Sequence, residues 1–356
     1  MKGMNIERPQ LDQLAPDVRA YIEALESELE RLRQGMRRTR SRRSDSIEEL
    51  NEPSEPPTTI NVITINAAGV AKRTPRHLYF RQRRGEMGVF DLETPEENPP
   101  AFLVIADESE HLVFITDQGR AFRLPVQNLL ETPVHSRGQS ITERLSLNEG
   151  ERLAIVLPDR QELYVALLTR RGHVRWFAGH LVGEKLRPGT VLYDVARFGS
   201  PAAACWSRGD GDLFIASQQG QAIRFAARQV PVSGCLGIRL TKEDVAIAIT
   251  PVREKSGVFL LSEDGKGAIR LMSGFRANKS PGASGKIGIK TERLVGALAV
   301  NEEESDLFAI SHLGKVIRFP ATEVPPKEGV VQGVNCMSLR ADRVVAMTVS
   351  PTPGLD

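Results

Sequence analysis

The chain has 356 residues, enough for one large domain or two ordinary ones. An apolar fraction of 40%, a charged fraction of 26% and only 5% aromatics fit a globular protein and exclude wholesale disorder. No apolar run approaches the roughly 18 residues that span a bilayer, no apolar leader opens the chain, and a net charge of +2 leaves any electrostatic case to local patches.

Taken in chain order, the first segment carries a heptad. Leu11, Val18, Leu25 and Leu32 fall on one position, and Ala15, Ile22 and Leu29 on the other. Pro16 suits the first turn of a helix, and the stretch to Arg33 is rich in good helix formers. The pattern predicts a helix within residues 1–36. It reads either as a short two-stranded coiled coil, making a homodimer, or as one amphipathic helix on its own domain. Residues 37–59 follow as an expected linker: first Arg37, Arg38, Arg40, Arg42 and Arg43, then an acidic, Pro-rich stretch from Asp45 to Pro57. The arginines fit a phosphate-contacting arm or a solvated helix end.

The body, residues 60–350, is a repeat. Each unit opens with an apolar run, turns at a glycine and ends its next short strand near an arginine. The turn glycines are Gly69, Gly119, Gly172, Gly220, Gly265 and Gly314, spaced by 50, 53, 48, 45 and 49 residues. The arginines are Arg73, Arg123, Arg175, Arg224, Arg270 and Arg318. Glycine supplies the positive φ of a hairpin turn. A second glycine follows each turn: Gly88, Gly138, Gly189, Gly237, Gly288 and Gly333. Further apolar runs such as 153–157 and 295–300 supply more strands. Four strands in about 50 residues is one blade of a radial β array. The expected fold is therefore all-β: a six-bladed propeller-like ring preceded by a short N-terminal α-helix. A lone four-stranded sheet cannot bury both faces, so each blade needs neighbours.

The glycine–arginine units resemble the C-terminal domain of the DNA gyrase A protein. The likeness is sharpest at 69–75 (GVAKRTP) and at 82–88 (QRRGEMG), which looks like the family's seven-residue box. Gln82, Arg83, Arg84, Gly85 and Gly88 fit that box. Glu86 stands where a second glycine is expected, and Met87 where a basic residue is expected. The resemblance implies a β-pinwheel that wraps double-stranded DNA around its rim, without reading bases and alongside a type II topoisomerase, in the cytoplasm at the nucleoid. It also implies a chain that is not itself an enzyme, because the tyrosine-bearing DNA-breakage half is not found here.

On that reading the DNA-binding residues are Lys72, Arg73, Arg76, Arg81, Gln82, Arg83, Arg84, Gly85 and Gly88 in the first blade. Arg137, Arg187 and Arg239 follow, then Arg276, Lys279, Lys286 and Lys290. Gly85 and Gly88 are expected to let backbone amides approach phosphate. The competing expectation is a solvated basic face, or arginines that pair with the acidic run 91–97. For the six repeated arginines, pairing within a blade and phosphate binding stand level. A protein-interaction propeller is a second functional class, and a split wrapping part of a gyrase-like enzyme acting in trans is a third. No catalytic constellation, cofactor loop or metal-ligand spacing occurs. The six histidines read as surface or loop residues, and Cys205, Cys235 and Cys336 as ordinary buried thiols.

Overall fold

A computed structural model describes residues 55–160, 162–301 and 305–351. The expected helix over 1–36 and nearly all of the expected linker lie outside the described residues.

Six hairpins form the skeleton: 60–75, 111–125, 164–178, 212–226, 257–271 and 305–320. Their turns share a device that the glycines alone do not reveal. The residue three before each turn glycine is Asn66, Thr116, Thr169, Ser217, Ser262 or Ser311, and its carbonyl accepts the glycine N–H. In five of the six, its side-chain oxygen also accepts the N–H just after the glycine. Short polar side chains that bond forward to the backbone stabilise such turns. All six glycines lie in the left-handed region, at φ +73 to +85.

Each hairpin gains an inner strand and a very short outer strand, giving six sheets with the hairpin in the middle. The inner strands are 100–107, 153–158, 201–207, 246–252, 294–300 and 344–351. They neighbour one another around an axis, and the last meets the first, so the ring closes. Ala101, Ala154, Ala203, Ala248, Ala297 and Ala346 line the central channel. Small side chains let six backbones converge there.

The outer strands are exchanged. Residues 139–140, which follow the second hairpin, complete blade 1. Residues 190–191, 235–236, 286–287 and 334–335 complete blades 2 to 5 in the same way. Residues 89–90, which follow the first hairpin, complete blade 6. Every blade thus holds a strand from its sequence successor, and the first hairpin's own extension closes the circle. The second set of glycines flanks these strands.

Six apolar clusters fill the six junctions between blades. The closing junction, between blades 6 and 1, holds the smallest: Val62, Tyr79, Leu103, Ile105, Phe308, Ile310 and Val316. Two buried polar networks reinforce it. In one, Lys72 pairs with Asp91 at 2.7 Å, and Asp91 accepts from the hydroxyls of Thr64 and Tyr79. In the other, Glu55 accepts from Arg76 and Arg318, each at 3.0 Å, while Arg318 also holds Asp306 at 2.6 Å. The expected linker therefore ends before 59, since Glu55 is buried within the ring.

Blade 3 departs most from the others. Four-residue helical turns at Gly179–Val182 and Val195–Phe198 occur only there among the described residues. The segments after the hairpins of blades 1, 2, 4 and 6 open with 3-10 turns instead.

Candidate nucleic-acid interface

The connecting segments 76–88, 126–138, 179–189, 227–234, 272–285 and 321–333 run from each hairpin to the outer strand of the preceding blade. They form the perimeter. Arg76, the box, Arg137, Arg187, Arg276 and Lys279 all lie in them. Lys286 stands on an outer strand, while Arg239 and Lys290 follow one. Lys72 and Arg73 lie on the hairpin strand 70–75.

The first blade needs correction. Lys72 is 0% exposed and its ammonium group is committed to Asp91 and to the carbonyls of Asp91, Pro133 and Val134. Burial pushes its pKa down, partly offset by Asp91. Arg76 is equally buried against Glu55. Burial pushes the Glu55 carboxyl up, but hydrogen bonds from Arg318 and Arg76 outweigh it and hold the group below its ordinary value. Lys72 and Arg76 are thus both neutralised by buried carboxylates, and both leave the candidate set. Arg73 is half-buried and paired with Glu131 at 2.5 Å. Arg81 is exposed at one edge but pairs with the buried Asp306 at 3.0 Å.

The box is a docked turn. The Gln82 N–H donates to the Arg318 carbonyl at 2.7 Å and the Gly85 N–H to the Cys336 carbonyl at 2.9 Å. Arg84 donates to the Asn335 carbonyl at 2.8 Å, and the Glu86 carboxylate accepts the Arg83 N–H at 3.2 Å. The Gly85 amide is thus not available to phosphate, contrary to expectation. What Gly88 provides is close approach: it sits at φ +78, and a Cβ there would lie 2.6 Å from the Val316 carbonyl oxygen of blade 6. These glycines serve ring closure, and the box presents Arg83 and part of Arg84 outward.

Elsewhere, Arg137 is 79% exposed but forks onto Glu93 at 3.0 Å. That pair is an arginine held by the acidic run 91–97, and Lys72, a lysine that the expectation did not include, is held there too. Arg187, Arg239, Arg276 and Lys290 are exposed; together with Arg83 they join none of the ion pairs formed among the described residues. Lys279 and Lys286 are half-buried and donate only to carbonyls, those of Ser284 and Gly285 and that of Arg276.

The repeated arginines resolve into two kinds. Arg73, Arg123, Arg224 and Arg318 hold the same register, the fourth residue of their strands. Each pairs with a carboxylate. Arg224 and Arg318 also donate to carbonyls of the following blade, at Met272 and Phe275 and at Arg76 and Tyr79. They staple blade to blade. Arg175 and Arg270 fall one residue off that register, which turns their side chains to the opposite face.

Among the described residues no group of His, Cys, Asp and Glu is placed to hold a metal ion, and no helix is long and apolar enough to cross a membrane. The three cysteines are free thiols, and burial pushes those of Cys205 and Cys336 up to about 12.

A closed ring of six strand-exchanged sheets with cations along its connecting segments defines the class: a propeller-like β ring with a partly unneutralised perimeter. The family described as DNA gyrase C-terminal domain, beta-propeller, matches residues 61–97, 110–158, 211–252, 258–301 and 305–328, and the chain belongs to that family. It is 30% identical over 292 residues to the DNA gyrase A protein of Mycobacterium leprae, covering 78% of this chain and 23% of that protein. Against the DNA gyrase A protein of Mycobacterium tuberculosis H37Rv the identity is 31% over 302 residues, covering 78% and 35%. The chain therefore spans only about a quarter to a third of these relatives. A solved structure of a DNA gyrase A C-terminal domain superposes with a TM-score of 0.70 at 20% identity, covering 82% of this chain and 99% of that one. Residues 159–210, blade 3 and its flanks, fall outside the family match.

Proposed function

We propose that the ring binds double-stranded DNA along its perimeter and bends it, without sequence preference. It acts as a non-catalytic architectural or accessory element beside a type II topoisomerase, in the cytoplasm at the nucleoid. The observation that carries this reading is the placement of the unneutralised cations. Arg83, Arg187, Arg239, Arg276 and Lys290 lie in, or just beyond, the segments that make the perimeter. Phosphate contacts position a duplex without reading its bases, and proteins that bend DNA need many of them. A salt-titrated mobility shift on mixed-sequence duplex tests it. Binding should weaken steeply with salt, by close to one power of salt concentration per neutralised phosphate. Binding that ignores salt, or no binding at all, contradicts the reading.

Blade 3 favours a second, compatible role in protein interaction. Leu163 is 66% exposed, and Leu181 and Tyr164 are also exposed, with Leu163 bonded to Gly179 just before Leu181. Exposed apolar side chains grouped in this way mark contact surfaces. Loss of a partner from Leu163→Ser/Leu181→Ser protein, with duplex binding intact, would separate the two roles.

A further inference from the structure

Arg270 is the cation that the fold does not explain. In blades 2, 3, 4 and 6 the fifth residue of the second hairpin strand is Leu124, Phe177, Phe225 or Phe319. In blade 5 it is Arg270, because Ile269 has taken the fourth position, where four other blades carry the carboxylate-paired arginine. The one-residue shift places a guanidinium where most blades place an apolar side chain. Arg270 is only 5% exposed, and its Nε and Nη1 have no hydrogen-bond partner among the described residues. Burying a charge without partners is costly, so a ligand that supplies oxyanion acceptors would be held strongly there.

The surroundings are cationic. Arg270 Cζ lies 5.7 Å and Lys286 Nζ 4.2 Å from the centre of the buried Phe275 ring. Lys286 is on the outer strand of blade 4 and donates to the carbonyl of Arg276. Lys279 is anchored on the Ser284 and Gly285 carbonyls, where the backbone of Arg239, just past the outer strand of blade 3, forms a β-bridge with Ser284. Lys327 stands opposite Arg270 in the parallel pairing at the edge of blade 5. The nearby carboxylates are engaged: Asp212 and Glu254 hold Arg224, and Glu328 accepts from Ser273. Burial, then the charges of Arg270, Lys279, Arg224 and Arg276, push the Lys286 pKa down.

We propose that Arg270, Lys286 and Lys279 form an oxyanion site at the junction of blades 4 and 5 that grips one phosphate group of the DNA backbone. The planar guanidinium fork matches two oxygens of a phosphate, and the ammonium groups supply point charges to the same anion. The duplex as source of the phosphate rests on the function proposed above. The site deepens that reading by giving the perimeter one desolvated anchor among solvated contacts.

Arg270→Leu tests it, because leucine already fills this position in blade 2. Inorganic phosphate should raise the melting temperature of the wild-type chain and leave that of Arg270→Leu unmoved, while the variant melts no lower than wild type without phosphate. Its affinity for a mixed-sequence 40-base-pair duplex should fall about tenfold, with a salt dependence weaker by about 0.9 in the log–log slope. Lys286→Gln, a change at a half-buried edge position, should also lose the phosphate effect. Phosphate protection that survives in both variants overturns the site. So does an Arg270→Leu variant that binds duplex with wild-type affinity and slope. If phosphate protects through Arg270 but the wild-type chain binds no duplex, the oxyanion site stands, and it is the DNA source and the reading beneath it that fail.

Discussion

The junction of blades 6 and 1 and the junction of blades 4 and 5 are both rich in cations, yet they use them oppositely. At the first, Lys72, Arg76, Arg318 and Arg81 are matched to Asp91, Glu55 and Asp306, and the charges lock a closing seam with the smallest apolar core. At the second, Arg270, Lys279, Lys286 and Arg276 join none of the ion pairs formed among the described residues, and the two lysines donate to carbonyls. The densest basic cluster of the ring itself, residues 72–84, is thus mainly ring closure, while a sparser one leaves more charge for a ligand. Cation density along the chain is a poor guide to binding; cation density less matched anions is the useful quantity.

The largest expected effect breaks the closing seam. Glu55→Gln removes a buried carboxylate from between two guanidinium groups, and such losses cost about 3–5 kcal/mol. Denaturant unfolding should show it, in contrast to Arg270→Leu, where removing a charge costs no stability. Acid provides a second check. The folded pKa of Glu55 lies below its ordinary 4.5, so its contribution is fully present above that value and is lost as pH falls through the lower folded one. The stability gap between wild type and Glu55→Gln should close in acid. A gap that persists there would mean the glutamine is simply misfitted.

Gly88→Ala comes next. It forces a β-carbon against the Val316 carbonyl at a positive φ, with an expected cost of about 1–3 kcal/mol. Hydrogen exchange should quicken in strands 89–90 and 315–320, and not in blade 4. Arg83→Ala removes an exposed box cation without a carboxylate partner. It should leave stability unchanged, weaken duplex binding a few-fold and reduce the salt slope by about 0.9. Smallest of all, Glu86→Gln keeps an acceptor for the Arg83 N–H and removes one exposed negative charge. Duplex affinity should rise by no more than about twofold, as for a single screened surface charge, and an unchanged affinity would place Glu86 off the DNA path.

Much of the ring was legible. Turn glycines at even spacing and apolar runs between them give six hairpins, because left-handed turns and buried strands each demand particular residues. The exchange of outer strands was not legible, since a two-residue strand has no periodicity. Lys72 was misread for a related reason: Asp91 sits beside the outer strand of blade 6, and nothing local reveals that strand's destination. Two signals were present in the sequence and missed. One is the Ser, Thr or Asn three residues before each turn glycine. The other is the interval from turn glycine to arginine, which is four residues in four blades, three for Arg175 and five for Arg270. Period-two geometry turns that single step into a change of face, from a carboxylate-paired arginine to one that joins no ion pair among the described residues.

A duplex that follows the perimeter must curve with it, and curvature of a closed circle leaves a trace. Nicked circular DNA, saturated with the protein, sealed by ligase and stripped of protein, carries that trace in its linking number. The topoisomer distribution should be displaced in proportion to bound protein, and displaced less by Arg83→Ala and Arg270→Leu. A distribution identical to that of protein-free DNA at saturation would mean that the duplex does not wrap the ring.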